Sequence, residues 1–458
     1  MQLPRGMKPL RRISFRRFWI GQAASNVGDL FYAVALPWYV LSHHGSTVLL
    51  GTVLAAYGIP RTIGLALGGS LADRFRPWNV MIGTDTVRAL AIGALTLVAS
   101  LESASAAAMI PIAIVFGAAS GLFLPCVTSM VPTLLPGEEM MAGNALTMGS
   151  EQFSTLIGPA LGGAAVALLG PAPAFGVDAV TFAISTLSLI AVRASERVPV
   201  PAPGAAAEQA GAGATTADSA PLRTFGDLLR NESFIHVALA IVVAANLGLG
   251  AASEIGLPAL AHGAFHAGAA GYGGLVAALG AGGILGIIVI SQSGAVRRPA
   301  IVASAIFLLG ALCMGLVPYL GGPVPAGLVL FVFGACAGYG NTLLVTAVQQ
   351  WTPPHLMGRL MGVVVLGSMG LFPLSTLLGG IVAHSSGPDL LFPAAGGLLA
   401  IALLGGLTRP AWRDFGAATS EPVTVAVAGT EIEPRPDALE PRPEAIEPGN
   451  TPATDLAG

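Results

Sequence analysis

Twelve stretches of mostly apolar residues, each about long enough to cross a lipid bilayer, leave this chain few folds to choose from. They run near 18–41, 47–71, 79–100, 106–131, 142–169 and 173–192, and then near 233–257, 269–291, 300–320, 324–350, 359–384 and 388–407. A helix that crosses the hydrocarbon core needs about 20 such residues. In lipid, backbone N–H and C=O groups must bond within their own segment, so runs of this length read as helices. Charge is scarce enough to agree: 10% of residues are Asp, Glu, Lys or Arg, against about 25% in an average soluble domain. We therefore expect an all-α integral membrane protein with 12 transmembrane helices. The 61 glycines fall largely inside the apolar runs, where small residues let helices pack closely.

The basic residues orient the spans. With the N-terminus in the cytoplasm, the inside segments hold Arg5, Lys8, Arg11, Arg12, Arg16 and Arg17, then Arg74 and Arg76, Arg193 and Arg197, Arg223 and Arg230, Arg297 and Arg298, and Arg359. The outside loops hold His43, His44, Glu102, His262, His266 and Asp389, and neither Lys nor Arg. An even number of spans with both termini inside satisfies the positive-inside rule. The basic N-terminus leads into a full-length apolar run without a small-residue cleavage site, so it reads as an interfacial segment and not as a leader.

The expected division is an interfacial segment at 1–17, a six-helix bundle at 18–192, a cytoplasmic linker at 193–232, a second six-helix bundle at 233–408 and a disordered cytoplasmic tail at 409–458. The linker contains PVPAPGAAAEQAGAGATTADSA at 199–220, which lacks apolar periodicity. The tail is rich in Pro, Glu and Ala from 416 onward. The halves echo each other: Pro132–Pro136, Asn144 and Gly158-Pro159 with Gly162-Gly163 in the first, and Pro353-Pro354, Gly358-Arg359, Pro373 and Gly379-Gly380 in the second. Such repeats are usual in transporters that rock one half against the other.

Several function classes fall away. Cys126, Cys313 and Cys336 lie apart in apolar runs, which is neither a disulfide framework nor a metal-ligand spacing. No Gly-rich phosphate loop sits between a strand and a helix. No basic patch suggests a nucleic acid, and no attached signalling domain suggests a sensor. The chain reads as a carrier, not an enzyme.

Charged residues inside spans are costly and are functional hypotheses by default. Gln22, Asn26, Asp29 and Ala33 share one face of the first span, at about 3.6 residues per turn. Asp29 is the leading candidate for binding and releasing a proton, followed by Glu151 in span 5 and Glu254 late in span 7. Arg61 is a candidate partner for Asp29 or an anchor for an anionic substrate. Gln22, Asn26, Tyr32, Arg61, Asn341 and Gln349 are candidate cavity residues, Tyr32 by stacking. Asp178, near the start of span 6, reads as structural. After span 2, Gly69, Asp73 and Arg74 form a candidate latch: Gly69 permitting close helix approach, Asp73 accepting N–H groups at another helix's N-terminus, and Arg74 pairing with carboxylates or phosphates. Asp85 and Arg88, spaced i, i+3, are candidates to join it.

That loop, Gly69-Ser70-Leu71-Ala72-Asp73-Arg74, resembles the loop signature of the major facilitator superfamily. It departs from the signature at Arg76, Pro77 and Trp78. The resemblance covers about 12–410 and implies two pseudo-symmetric six-helix bundles working by alternating access. Ser25-Asn26-Val27-Gly28-Asp29, Ala35-Leu36-Pro37, the Phe175, Asp178-Ala179 and Phe182 run, and Gly358-Arg359 are similar to the bacterial enterobactin-exporter and macrolide-efflux branch. Gly158, Pro159, Gly162 and Gly163 resemble the antiporter motif of drug/proton exchangers, with Ser154 where a leading Gly is usual. In physical terms Pro159 kinks the helix and the glycines admit neighbours. The resemblance implies a proton-coupled exporter of a hydrophobic or amphipathic small molecule in a bacterial inner membrane, monomeric, driven by the proton gradient without a cofactor. A dedicated exporter of one self-made metabolite or siderophore, and an importer or uniporter of the same fold, stay open.

Overall fold

The computed structural model describes residues 5–101, 106–195, 233–293, 296–352, 360, 362 and 367–415. All regular structure among them is helical. A 3₁₀ turn, Arg5–Arg11, leads into α1 (Ile13–His44), followed by α2 (Thr47–Phe75), α3 (Pro77–Ser100), α4 (Ala106–Leu134), α5 (Gly137–Leu169) and α6 (Pro171–Ser195). The second half holds α7 (Ser233–Ala251), a π turn (Ala252–Gly256), α8 (Leu257–His262), α9 (Gly268–Gln292), α10 (Pro299–Leu316), α11 (Pro323–Trp351), α12 (Phe372–Ser386), α13 (Leu391–Leu407) and the single turn α14 (Pro410–Arg413).

Ten helices among the described residues are long and apolar enough to cross a membrane, and α5, bent by 41° between Gly137–Ser154 and Ile157–Leu169, makes an eleventh. The bend lies where Pro159 removes the N–H that would bond four residues back. At 32 residues α1 is long enough to span, but its polar face lowers its hydropathy and it stays outside that set. Twelve spans are consistent with this inventory.

The connections are tight and their chemistry is local. Gly45, in the left-handed region at φ 61°, ends α1 by donating its N–H to Leu41 O, and Ser46 caps α2 by accepting from Leu49 N at 3.2 Å. Between α2 and α3 the whole connection is Arg76, at φ 66° and ψ 132°, with Pro77 opening α3. That backbone region favours glycine, and here an arginine occupies it. In α7, Pro258 lacks the N–H that would reach back to Glu254. The chain bridges the gap with a π turn in which Leu257 N bonds Ala252 O, a device frequent at functional sites. The span expected at 233–257 thus carries a π turn and continues to His262.

Both expected end segments shorten. α1 begins at Ile13, with Phe15 and Phe18 buried, because those rings pack where the interfacial segment was expected. Residues 410–415 of the expected tail are helix and turn instead. Trp412 is 1% exposed and donates its indole N–H to Ser304 Oγ at 3.0 Å, and Phe415 stacks on Phe234 at 4.4 Å. The linker at 196–232, residues 353–359 with Gly358-Arg359, and the tail from 416 lie outside the described residues.

The halves meet at one end and stay apart at the other. One apolar core joins them where α1 ends and α2 begins, and includes Val40, Leu50, Ile255, Leu260, Phe392 and Ala395. Where α1 begins, two separate cores stand instead. One belongs to the first half, around Phe15, Phe18, Met81 and Met130, and the other to the second, around Phe234, Ile241, Leu403 and Trp412. The paired glycines explain the shared end. Gly162 faces Leu30 O of α1 in its own half, whereas a methyl group on Gly163 would stand 2.8 Å from Gly273 Cα of α9 in the other. In the second half Gly379 faces Ala251 of α7, and a methyl group on Gly380 would stand 2.6 Å from Thr47 O of α2. Each pair thus binds its own half with one glycine and the opposite half with the next. Thr47 Oγ1 donates to Gly380 O at 3.0 Å, Thr62 Oγ1 to Met369 O at 3.3 Å, and Trp38 meets His262 edge-on at 5.3 Å.

Candidate functional site

Inside the first half, one arginine collects the charge of two helices. Arg88 of α3 is 4% exposed and donates from Nη2 to Asp29 Oδ1 at 2.8 Å and Oδ2 at 2.9 Å, on α1. Its Nη1 donates to Asp85 Oδ1, one turn back on α3, at 3.0 Å. The other Asp85 oxygen accepts from Ser185 Oγ of α6 at 2.6 Å. Aromatic rings wall the guanidinium: Phe182 at 4.0 Å, Phe123 at 4.9 Å and Phe116 at 5.8 Å from ring centre to Cζ. Such rings favour a cation and exclude water, which strengthens the pairing.

Exposure separates the two carboxylates. The Asp85 side chain is fully buried, while that of Asp29 is 40% exposed. One face of Asp29 therefore meets the guanidinium and the other is open. A carboxylate placed this way can exchange a salt bridge for a proton. Gly28 makes the arrangement fit: a methyl group there would run into Thr181 Oγ1 and Asp178 Oδ1 of α6, so only glycine lets α1 lie this close.

The structure redistributes the other candidates. Asp29 pairs with Arg88, not with Arg61; the i, i+3 partners Asp85 and Arg88 act inside the bundle, where burial and rings hold them. Arg61 instead stands over the Tyr57 ring at 5.5 Å. Its charge also acts on Glu254, half-buried in the π turn of the other half. Gln22 is 8% exposed and donates to Asn26 Oδ1 at 3.1 Å, so it is a packed residue and not a cavity wall. Tyr32, 7% exposed, packs against Phe116 at 4.8 Å and is covered in this conformation. Glu151, Asn341 and Gln349 are exposed. The latch is divided: the Asp73 side chain lies outside the described ones, Arg74 lies over Phe75 at 5.4 Å, and Gly69 has nothing within 4 Å of where a methyl group would stand. The close approach comes one position earlier, where Gly68 meets Pro125 and Leu122 of α4.

Sequence reasoning does not single out Ser185, the donor to Asp85, and it reads Asp178 as structural at a helix start. Asp178, Phe182 and Ser185 fall at i, i+4 and i+7 on one face of α6, and that shared face was the available signal. A separate apolar groove of about 340 Å³, lined by Ala55, Ile59, Thr62, Ile63, Gly370, Pro373, Leu374 and Leu377, runs between α2 and α12. Among the described residues, no three His, Cys, Asp or Glu side chains converge to cage a metal ion.

Comparison with known proteins accounts for this architecture. The family model for the Major Facilitator Superfamily matches residues 18–373. The multidrug efflux pump Tap of Mycolicibacterium fortuitum is 26% identical over 388 residues, 81% of this chain and 89% of that protein. The enterobactin exporter EntS of Salmonella typhimurium is 26% identical over 349 residues, 76% of this chain and 80% of that one. In fold, a peptide transporter POT in complex with sulfate superposes with a TM-score of 0.64 at 16% identity, covering 86% of this chain and 94% of its own. The inward-open conformation of the xylose transporter XylE from E. coli superposes at 0.60 and 15% identity, covering 85% and 95%. With its helices in two halves and a family match over most of its length, the chain belongs to the Major Facilitator Superfamily.

Proposed function

We propose that this chain is a secondary active transporter that exports a hydrophobic or amphipathic small molecule in exchange for protons, by alternating access. The observation that carries the coupling is Asp29, held by a buried arginine on one side and 40% exposed on the other. Export rests on similarity to the efflux pump Tap and the exporter EntS. With the termini in the cytoplasm, as the arginine distribution favours, the end where the halves separate faces inward. This conformation then presents its cavity to the cytoplasm, where an exporter loads. Arg61, Glu254, Asn341 and Gln349 are candidates to touch substrate or protons there. The substrate crosses unchanged, so the chain acts as a carrier and not an enzyme. The proton gradient is the energy source and no cofactor is invoked. Its setting is a bacterial inner membrane, as a monomer with lipid as its surroundings and no role for nucleic acid.

The test is depletion of a panel of fluorescent hydrophobic dyes from a pump-deficient bacterial host, with and without a protonophore. Depletion that needs the chain, stops with the protonophore and is lost in Asp29→Asn supports the reading. Depletion insensitive to the protonophore contradicts it. The similarity to EntS favours a second reading, a narrow exporter of one self-made metabolite or siderophore, which predicts no dye depletion but retention of a native product when the chain is deleted.

A further inference from the structure

A third acid acts on Arg88 without being held by it. Asp178 lies on the α6 face that carries Phe182, the ring 4.0 Å from Arg88, and Ser185, the donor to Asp85. Its side chain is fully buried, and Oδ2 has no hydrogen-bond partner among the described residues. Oδ1 faces Gly28, one residue before Asp29, and has only Thr181 Oγ1 at 3.5 Å, a hydroxyl already donating to Asp178 O at 2.7 Å. Arg88 Nε is likewise buried and without a partner. One buried acid oxygen without a donor and one buried guanidinium N–H without an acceptor thus belong to groups whose charges act on each other.

A buried, bare carboxylate oxygen is a poor resting state, and a bound proton removes the charge. The groups that act on Asp178 are Asp29 and Tyr32 on α1, Arg88 on α3 and, on its own helix, Thr181. Arg88 is the cation among them, and Asp29 now occupies it.

Resting on the proton-coupled reading above, we infer that Asp178 holds the exchangeable proton and that Arg88 alternates between Asp29 and Asp178. While Asp29 holds Arg88, Asp178 is the neutral acid. When Arg88 turns Nε to Asp178, the O–H electron pair stays on Asp178 and the proton passes to an Asp29 oxygen. Asp29, the exposed member, then releases it to cavity water or takes up another. Asp178 is therefore the store, Asp29 the port, and Asp85 the fixed anchor that keeps Arg88 in place.

Infrared difference spectra of the purified chain in lipid vesicles, recorded as the pH is raised, test this without a substrate. The wild type should lose a protonated-carboxyl C=O band on alkalinisation. Asp178→Asn should remove one carboxyl's share of that band, and Asp29→Asn, which frees Arg88 for Asp178, should move its loss to lower pH. Asp178→Glu should restore the band at a shifted frequency, and this variant decides the matter alone if the Asn variant does not fold. An undiminished band in Asp178→Asn, or an unshifted one in Asp178→Glu, overturns the assignment. The spectra stand apart from dye transport, so a failure of the export reading and a failure of this inference give different results.

Discussion

Replacing Arg88 with alanine should be the most damaging single change in the first half. The substitution strands Asp85, which is fully buried, with Ser185 as its remaining donor, and removes the cation from among three rings. Breaking a buried ion pair from one side costs about 3–5 kcal/mol. Asp29 is 40% exposed, so water screens its share and most of the loss comes from Asp85. Arg88→Lys keeps the charge but cannot fork to two carboxylates; losing one charge-assisted bond costs about 1.5–3 kcal/mol. In Arg88→Ala with Asp85→Ala the stranded charge is gone, so the double variant should be more stable than the sum of the singles by about 0.5–3 kcal/mol. Denaturant unfolding of the purified chain in micelles measures all three, with the exposed Arg193→Ala as a reference within about 0.5 kcal/mol of wild type. If Arg88→Ala unfolds with Arg193→Ala, or if the two singles simply add, the network does not hold the bundle as argued.

Further outcomes follow from single contacts. Gly28→Ala places a methyl group against Thr181 and Asp178 and should cost about 1–3 kcal/mol of overpacking, whereas Gly69→Ala, which meets nothing within 4 Å, should be close to silent; thermal unfolding compares them. Gly163→Val and Gly380→Val press on the opposite half, so both should shift the chain away from this conformation, read as altered labelling of a cysteine placed at Asn341, with Gly162→Ala shifting it less. Trp412→Phe should lose about 1 kcal/mol with the bond to Ser304, and Trp412→Ala about 3–5 kcal/mol, by denaturant midpoint. Arg76→Gly should relieve about 1–3 kcal/mol of backbone strain at φ 66°, less the entropy glycine adds to the unfolded chain, and so raise the unfolding temperature.

Much of this architecture is written in patterns that lipid makes legible. Apolar run length announces each span because hydrocarbon offers no other partner for the backbone. The echo between Gly162-Gly163 and Gly379-Gly380 corresponds to matching contacts in the two halves. Asp29 stood out because a carboxylate in an apolar helix needs a reason. Its partner was harder to identify. Arg61 and Arg88 are both single arginines in apolar spans, and which one reaches α1 depends on helix rotation, which periodicity does not fix. Asp85 and Arg88 were grouped with the nearby loop because sequence distance is visible and depth in the bundle is not. The π turn at Glu254 depends on Pro258 four residues later, and a proline in an apolar run predicts an interruption without its form.

The central claim is that a proton gradient moves the substrate through Asp29 and Arg88. The most direct measurement loads vesicles containing the purified chain with a fluorescent hydrophobic dye that it depletes from cells, and imposes a pH gradient or a sodium gradient separately. Uphill dye movement should be driven by the pH gradient alone, accompanied by counterflow of protons and abolished in Asp29→Asn. Movement driven by sodium, or pH-driven movement that persists at the wild-type rate in Asp29→Asn, would contradict the central claim.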